Sequence, residues 1–309
     1  MDRRDVLKST VGLAGTAIAA AMGESSTSQS PGSVRGRLRM PYIDTPDGQR
    51  LFYKDWGTGA PIVFLAAWAL PSDMWDYQMM PLSDQGLRCI AYDRRGHGRS
   101  SIAGNGYDYD TLADDLAAVF DELDLQQVTL VGMSMATGEI VRYLTRHTAR
   151  RVARLVFVAT AATPARLQTA DNPNGIPADR AEWFRRRVLL RDYPNWIEEN
   201  RQPFFVPETS RPMQEWVRGM MLRTSIKAVI ECNRSMTTAD FRRELSGIAL
   251  PTLVIHGDKD VSAPLDATGV PTAKLIPGAR LMVYEGAPHG LFLTHMDRLT
   301  GDLLSFAKP

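Results

Sequence analysis

The chain has 309 residues, of which 44% are hydrophobic and 23% charged, a composition that is ordinary for a soluble globular protein with one large domain or two modest ones. Its formal net charge of +1 excludes a strong long-range field, so the sequence predicts no nucleic-acid partner and no electrostatic attraction to an anionic membrane. Two cysteines, Cys89 and Cys232, exclude a disulfide framework, and Cys89 lies in an apolar run that predicts a small buried side chain.

The first 39 residues differ in character from the rest of the chain. Arg3 and Arg4 precede Lys8 and a stretch of small apolar residues, VGLAGTAIAAAMG, that is too short to span a bilayer comfortably. Ala17-Ile18-Ala19 and Ala19-Ala20-Ala21 both suit a signal peptidase, and the polar run after them is typical of a linker. Residues 1–39 thus resemble a twin-arginine export signal followed by a linker. Such a signal is recognised by an export receptor and does not anchor the protein stably in the membrane. The resemblance predicts a periplasmic or extracellular protein. The alternative is a frayed N-terminal helix.

From residue 40 the hydrophobic pattern becomes regular. Asp47-Gly48 stands between two alternating apolar runs and predicts a β-hairpin. The runs that follow are typical of strands buried on both faces: PIVFLAA, LRCIAYD, QVTLVGM, VARLVFVAT, PTLVIHGD and ARLMVYEG. Helical stretches separate them, among them TLADDLAAVFDEL and MATGEIVRYLTRH. Strands that alternate with helices predict an α/β fold with a mostly parallel central sheet, flanked by helices and joined by right-handed crossovers.

One segment, residues 163–247, interrupts this alternation. It contains no buried-strand run and is helical in pattern, with many Trp, Phe and Met residues. A helical insertion between two strands of such a sheet would lie over the strand ends. The sequence therefore predicts a core made of residues 40–162 and 248–309, with a helical lid (cap) at residues 163–247.

The segment VTLVGMSMATGEI places Ser134 where a strand pattern stops and a helical pattern begins. A sharp strand-to-helix turn at that point would lift a serine side chain above the carboxyl edge of the sheet, and it requires small flanking residues because strand and helix nearly touch. Gly132 and Ala136 meet this requirement. Ser134 is therefore a candidate nucleophile, and the alternative is an ordinary polar residue that caps a helix.

A serine hydroxyl becomes a good nucleophile only beside a histidine base that a carboxylate orients. Asp260 follows one buried strand and His289 follows the next, so both are expected above the same sheet edge as Ser134. Asp260 is preferred to Asp258 because it is the fourth residue of a G-x-x-D turn, whereas Asp258 is expected to hydrogen-bond its own turn. The predicted catalytic triad is Ser134, Asp260 and His289. No histidine pair has metal-ligand spacing and no glycine loop suits a nucleotide, so no metal and no cofactor is predicted.

Such a serine also needs hydrogen-bond donors for the negative charge that develops on the carbonyl oxygen. One candidate is the backbone N–H of Met135, and the other is the backbone N–H of Trp68 in the loop after an early buried strand. The substrate pocket is predicted to include Trp68, Ala69, Trp183 and Trp216. The alternative for the aromatic residues of the lid is that they pack within the lid.

Several segments, taken in order, resemble the α/β-hydrolase fold and, within it, the cofactor-free haloperoxidase and aryl esterase family: DMWDYQM, AYDRRGHGRSS, YDYDTLADDLAAVFDELDL, GEIVRYLTRH, LVIHGDKD and APHGLFLTH. The resemblance covers about residue 40 to the C-terminus. It implies a serine hydrolase without metal or cofactor, with the triad and the two oxyanion donors named above. Two motifs depart from the family: AAWA at residues 66–69 replaces the usual His-Gly-Trp-Pro, and SMATG at residues 134–138 replaces the usual Ser-Met-Gly-Gly-Gly.

Three functions are consistent with these residues. The first is an exported serine hydrolase that cleaves a small carboxylic ester or lactone through an acyl-enzyme intermediate. The second is a perhydrolase or haloperoxidase, in which peroxide replaces water on the same triad. The third is a ligand-binding protein without activity, against which an intact triad argues. The expected partner is a small molecule, and a homo-oligomer is left open.

Overall fold

A computed structural model describes residues 41–308, so the predicted signal peptide and linker at residues 1–39 lie outside the described residues. The strands, numbered in chain order, are β1 (Tyr42–Asp44), β2 (Arg50–Trp56), β3 (Ala60–Leu65), β4 (Leu87–Tyr92), β5 (Val128–Met133), β6 (Val152–Val158), β7 (Thr252–Gly257) and β8 (Arg280–Tyr284). They form one sheet in the order β1-β2-β4-β3-β5-β6-β7-β8. The β1–β2 and β2–β4 pairs are antiparallel and the other neighbouring pairs are parallel. The β1–β2 pair is the hairpin predicted at Asp47-Gly48.

Helices cover the sheet and fill the segment between β6 and β7. In chain order they are α1 (Asp76–Asp84), α2 (Tyr109–Glu122), α3 (Ala136–Arg146), α4 (Ala178–Trp183), α5 (Leu190–Glu199), α6 (Arg201–Phe204), α7 (Arg211–Leu222), α8 (Ile226–Thr238), α9 (Arg242–Leu245), α10 (Gly269–Leu275), α11 (Leu291–Thr294) and α12 (Met296–Ala307). A π-helical turn, Phe184–Leu189, joins α4 to α5. Within residues 41–308, no helix combines the length and the apolar character needed to cross a membrane.

The central strands are apolar on both faces because each face packs against helices. Successive residues of β3 point to opposite faces of the sheet. Val63 and Leu65 belong to the core that contains side chains of α2 and α3, whereas Ile62 and Phe64 belong to the core that contains side chains of α1 and α12. The continuous apolar runs in the sequence follow from this double burial.

The six helices α4 to α9 lie between β6 and β7 and form the lid. Leu189, Tyr193, Ile197 and Val229 of the lid make a small apolar cluster with Ala69, which lies in the loop after β3. This contact anchors the lid above the carboxyl ends of the strands. The predicted fold class, a mostly parallel sheet flanked by helices with a helical lid inserted between strands, is confirmed.

The parallel arrangement gathers four loops at one edge of the sheet. The strands β3, β5, β7 and β8 run in the same direction, so their carboxyl ends meet there. The loops after these strands carry Trp68, Ser134, Asp260 and His289, respectively. Residues far apart in the sequence are thus brought to one place by the strand order.

Candidate active site

Ser134 lies in the turn between β5 and α3 and has a φ of +59°, a left-handed conformation that is uncommon for a residue with a side chain. Its N–H donates to the carbonyl of Val158 at 2.9 Å, and its carbonyl accepts from Thr137 Oγ1 at 2.8 Å. A Cβ at position Gly132 would lie 3.1 Å from the backbone carbonyl of Ala136, so strand and helix approach closely here and glycine is favoured. Neighbouring contacts therefore maintain a strained turn at this serine.

A chain of hydrogen bonds joins the side chains of Ser134, His289 and Asp260. His289 Nε2 lies 3.0 Å from Ser134 Oγ, and His289 Nδ1 lies 2.6 Å from Asp260 Oδ2. All three residues are buried. When Nδ1–H donates to Asp260, Nε2 is the imidazole atom left to accept the serine proton. The structure thus brings the three residues into a geometry suited to general base catalysis, and their catalytic roles stay a prediction.

Asp260 is kept ionised by the groups around it. Burial alone would raise its pKa, but the charge of His289 and hydrogen bonds from His256, His289 and the Ala263 N–H outweigh burial and hold the pKa well below its usual range. The Ala263 N–H donates to Asp260 Oδ1 at 2.8 Å. His256 Nε2 lies 3.4 Å from Asp260 Oδ2 and 2.8 Å from the Ala263 carbonyl oxygen. His256 was not among the predicted site residues, although its position four residues before Asp260 was a usable signal.

Asp258, the other candidate acid, makes a different contact. It accepts a hydrogen bond from the backbone N–H of Gly286 at 2.7 Å. The expectation that Asp258 bonds its own turn is therefore wrong, because it links the turn after β7 to the turn after β8. The two turns touch, since a Cβ at Gly257 would lie 2.0 Å from the carbonyl oxygen of Ala287.

The loop after β3 places Trp68 at the mouth of the site. Residues 67–70 form a turn that the Leu70 N–H closes by donating to the Ala67 carbonyl at 3.2 Å. Ala69 has a φ of +64°, the sign required at the third position of a type II turn. The indole N–H of Trp68 donates to the carbonyl of Val229 in the lid at 3.0 Å, which fixes the ring.

The two predicted oxyanion donors are the backbone N–H groups of Trp68 and Met135. Among residues 41–308, neither group donates to a protein acceptor, so both are available to a ligand. Met135 is also the N-cap of α3, where the helix dipole favours negative charge.

A buried ion pair, which is not among the predicted site residues, lies beneath the loop that carries Trp68. Arg94 Nε donates to Glu139 Oε1 at 2.7 Å, and Arg94 Nη2 donates to the carbonyl of Ala66 at 2.7 Å. Glu139 lies on α3, so the pair ties this loop to the helix that follows Ser134. Arg94 lies within the AYDRRGHGRSS motif, but its partner is 45 residues away in the chain, and no sequence pattern relates the two.

A cavity of about 290 Å³ opens at Ser134 beneath the lid. Its wall is mainly apolar and aromatic, with Trp68 on one side and Phe184, Trp196 and Phe204 from the lid. The rings of Trp68 and Trp196 lie 5.2 Å apart between centroids. A small concave site with an apolar wall and a few polar groups suits a small-molecule ligand.

Of the four predicted pocket residues, Trp68 lines this cavity and the other three do not. Ala69 is fully buried against the lid, and Trp183 is 58% exposed and borders a neighbouring cavity. Trp216 packs edge-on against the ring of Tyr77 on α1, with the ring centroids 5.6 Å apart. The helical pattern predicts the helices of the lid but not which face turns to the serine: Phe184, one residue after Trp183, is the one that lines the cavity.

In the part of the chain that the structure describes, no group of three or more His, Cys, Asp and Glu side chains is arranged to hold a metal ion. Cys89 and Cys232 are free and fully buried, which agrees with the apolar run around Cys89. Burial raises the pKa of each thiol to about 12, so both stay protonated and unreactive in the folded protein.

Comparisons with known proteins place this geometry in a family. The sequence profile of the alpha/beta hydrolase fold matches residues 60–296. A non-heme haloperoxidase of Rhodococcus erythropolis is 40% identical over 277 residues, which cover 87% of this chain and 100% of that protein. A bifunctional esterase/perhydrolase of Acinetobacter calcoaceticus is 35% identical, covering 87% of this chain and 100% of that protein.

A solved structure of an esterase is also similar to this protein. An esterase from Exiguobacterium antarcticum superposes with a TM-score of 0.83 at 32% identity, covering 87% of this chain and 99% of that one. The match therefore extends over the sheet, the lid and the loops that carry the site. The chain belongs to the α/β-hydrolase fold family, in which it is a hydrolase enzyme that resembles the non-heme haloperoxidases and esterases.

Proposed function

We propose that this enzyme cleaves a small carboxylic ester or lactone through an acyl-enzyme intermediate on Ser134. The observation that carries the proposal is the chain of contacts from Ser134 Oγ to His289 Nε2 at 3.0 Å and from His289 Nδ1 to Asp260 Oδ2 at 2.6 Å. The adjoining cavity of about 290 Å³ has room for a small substrate. The esterase names of similar proteins also support an ester substrate.

In the first half of the reaction, Ser134 Oγ attacks the carbonyl carbon of the substrate while His289 Nε2 takes the proton of the serine hydroxyl. Asp260 stabilises the imidazolium that forms. The carbonyl oxygen becomes negative, and the backbone N–H groups of Trp68 and Met135 donate to it. His289 then gives the proton to the leaving oxygen as the C–O bond breaks, which leaves the acyl group esterified to the serine.

In the second half, water attacks the acyl carbon and His289 takes a proton from it. The tetrahedral intermediate collapses, the bond to Ser134 Oγ breaks, and the proton passes to that oxygen. The carboxylic acid leaves and the enzyme is restored. In a lactone the leaving oxygen stays attached to the acyl group, so the product is a single hydroxy acid.

Hydrogen peroxide attacking the same acyl-enzyme would give a peracid instead of an acid. This second candidate is favoured by the names of similar proteins, a haloperoxidase and an esterase/perhydrolase. Water is the main nucleophile in our proposal because Ala69 replaces the family's usual proline after the tryptophan. Ala69 has a φ of +64°, whereas a proline ring fixes φ near about −65°. The loop beside the oxyanion hole therefore differs in backbone conformation from one that contains proline.

The test is chemical labelling of the serine together with its removal. A fluorophosphonate probe should label the wild-type protein at Ser134 and should not label Ser134→Ala. Hydrolysis of p-nitrophenyl acetate should fall at least about a thousandfold in that variant. Ser246→Ala, at an exposed position after α9, is the control and should retain both properties. Retention of more than a few per cent of the activity by Ser134→Ala would refute the proposal.

The location of the enzyme is a separate proposal. We propose that residues 1–39 export the chain through a twin-arginine pathway to the periplasm or the exterior. The order of Arg3, Arg4, Lys8, a short apolar stretch and a peptidase site supports this.

A further inference from the structure

Arg166 lies between β6 and the first helix of the lid, and its side chain lines the cavity that contains Ser134. Its carbonyl accepts from the N–H of Ile176 at 2.7 Å, and its Nη1 donates to the carbonyl of Ala161 at 3.1 Å. The Ala161 N–H in turn donates to the carbonyl of Ser134 at 3.3 Å. The guanidinium is therefore held two hydrogen bonds away from the backbone of the nucleophile.

The charges along this cavity are unbalanced. Among the described residues, Arg166, Arg201 and Arg218 line the cavity, and no Asp or Glu does. Arg201 and Arg218 have a partner, since they lie 3.0 Å and 3.8 Å from carboxylate oxygens of Glu198. Arg166 makes no direct ion pair with any carboxylate of residues 41–308. Of these three cavity-wall arginines, Arg166 is the one without a direct ion pair among residues 41–308.

Asp260 exerts an electrostatic effect on Arg166 but does not serve as its partner. Burial lowers the pKa of Arg166, and the negative charge of Asp260 offsets part of this effect. The two oxygens of Asp260 already accept from His289 and from the Ala263 N–H. A guanidinium stays charged in proteins, and burying it without a direct counter-charge is unfavourable. A ligand with a negative charge would supply the direct counter-charge that this guanidinium lacks among the described residues.

We propose that Arg166 binds a carboxylate group of the substrate, so that the ester or lactone cleaved at Ser134 carries a carboxylate besides the bond that breaks. This inference rests on the proposed function. The guanidinium donors form a planar fork that matches the two oxygens of a carboxylate, and the contact with Ala161 uses one of them. One cation without a direct ion pair also matches a single negative charge better than the charge of about −2 of a phosphate monoester.

The aromatic side chains that share the cavity with the cation and the serine favour a substrate with an apolar body. Phe184 and Trp196 line the same cavity as Arg166 and Ser134, and they offer no charge to a ligand. A compact molecule with an apolar middle, an ester at one end and a carboxylate at the other matches this distribution. The carboxylate belongs either to the acyl part or to the alcohol part, and two matched pairs of substrates separate these cases.

The experiment compares charged and neutral esters of similar size. The first pair, p-nitrophenyl hydrogen adipate and p-nitrophenyl hexanoate, carries the charge on the acyl side. The second pair, para-carboxyphenyl acetate and its methyl ester, carries the charge on the leaving group. The ratio of kcat/KM for the charged ester to that for the neutral ester is measured in the wild type, Arg166→Met, Arg166→Lys and the control Arg187→Met. Arg187 is an exposed arginine of the lid.

We expect the charged-to-neutral ratio of one pair to fall at least about tenfold in Arg166→Met, because a charge-assisted hydrogen bond is lost. Arg166→Lys should restore part of the ratio, and Arg187→Met should leave it unchanged. The pair that responds identifies the side of the substrate that carries the carboxylate. A ratio that stays the same for both pairs in Arg166→Met overturns the inference and leaves Arg166 as a support for the Ala161 turn.

Failure of this inference is distinguishable from failure of the proposed function. Fluorophosphonate labelling of Ser134 is measured in every Arg166 variant. Labelling with unchanged ratios refutes the carboxylate site and keeps the serine hydrolase. Hydrolysis that survives in Ser134→Ala refutes the serine hydrolase itself.

Discussion

The guanidinium of Arg94 joins Glu139 on α3 to the loop that carries Trp68. Arg94 Nη2 lies 2.5 Å from Glu139 Oε1 and donates to the carbonyl of Ala66 at 2.7 Å. Both charged side chains are buried, with 2% and 1% of their surface exposed. One side chain therefore sets the distance between the helix that follows Ser134 and the loop with the second oxyanion donor.

Glu139→Gln should weaken both the fold and catalysis. The amide keeps the size of the carboxylate but leaves Arg94 buried without a negative partner, so the free energy of unfolding should fall by about 3 kcal/mol. Because the loop at Trp68 loses its support, kcat/KM for a neutral ester should fall at least about tenfold. Urea unfolding and initial rates measure the two effects.

The control for this variant is Glu231→Gln. Glu231 lies 3.3 Å from Lys227 and 3.3 Å from Arg234 on the surface of α8, so its loss should change the stability by less than about 1 kcal/mol. If Glu139→Gln were as stable and as active as the wild type, the buried pair would have no role in holding the loop.

Asp260→Asn and Asp258→Asn form a matched test of the acid. Asn at position 260 presents the wrong partner to His289 Nδ1, so kcat/KM should fall by several powers of ten. Asn at position 258 keeps an oxygen that can accept from the Gly286 N–H, so activity should change less than about fivefold. The reverse order of the two effects would show that Asp258 is the acid.

At acid pH, the loss of kcat/KM should follow the uptake of a single proton. The charge of His289 and hydrogen bonds from His256, His289 and Ala263 outweigh burial and hold the pKa of Asp260 below its usual range. A carboxyl group of this kind stabilises the folded state above its unfolded pKa of about 3.9, and the contribution is lost only as pH falls through the lower folded-state value. The charge of Asp260 is therefore constant between about pH 5 and 8.

The logarithm of kcat/KM for a neutral ester should accordingly fall with a slope of one as the solution becomes more acidic, because His289 must be neutral to act as base. Rates at constant ionic strength test this. A flat profile would argue against a histidine base, and a slope of two would mean that a second group titrates with it.

The sheet and the residues at its edge could be predicted because each depends on a local pattern. The strand β5 is buried throughout and mostly apolar since helices cover both faces, and Gly132 marks the close approach of strand and helix. Asp260 and His289 each follow a buried strand, so the parallel direction of the strands was enough to bring them near Ser134.

The pocket and its charges depend on contacts that have no local signature. Trp183 and Phe184 are neighbours in sequence, and a π-helical turn begins between them, so the helical period did not tell which ring faces the serine. No motif or hydrophobic pattern in the sequence distinguishes Arg166 from other arginines. Its proposed role depends on the absence of Asp and Glu from the cavity wall among the described residues, and no local sequence pattern shows which side chains line a cavity.

The export proposal predicts a processed N-terminus. Cleavage after the small residues at 19–21 would give a mature chain that begins near residues 20–24. Arg3→Lys combined with Arg4→Lys should trap the precursor inside the cell, because the receptor reads the arginine pair. Cell fractionation and N-terminal sequencing of the secreted protein measure this, and unchanged export of the double variant would exclude a twin-arginine signal.

Water should outcompete peroxide at the acyl-enzyme. With a simple acetate ester and excess peroxide, acetic acid should form faster than peracetic acid in the wild type, and Ser134→Ala gives the uncatalysed background. Ala69→Pro should raise the peracid share. Because a proline ring does not reach a φ of +64°, the turn at residues 67–70 must change conformation in this variant, and its Tm should fall. Peracid as the main product of the unmodified enzyme would replace the hydrolase proposal with the perhydrolase one.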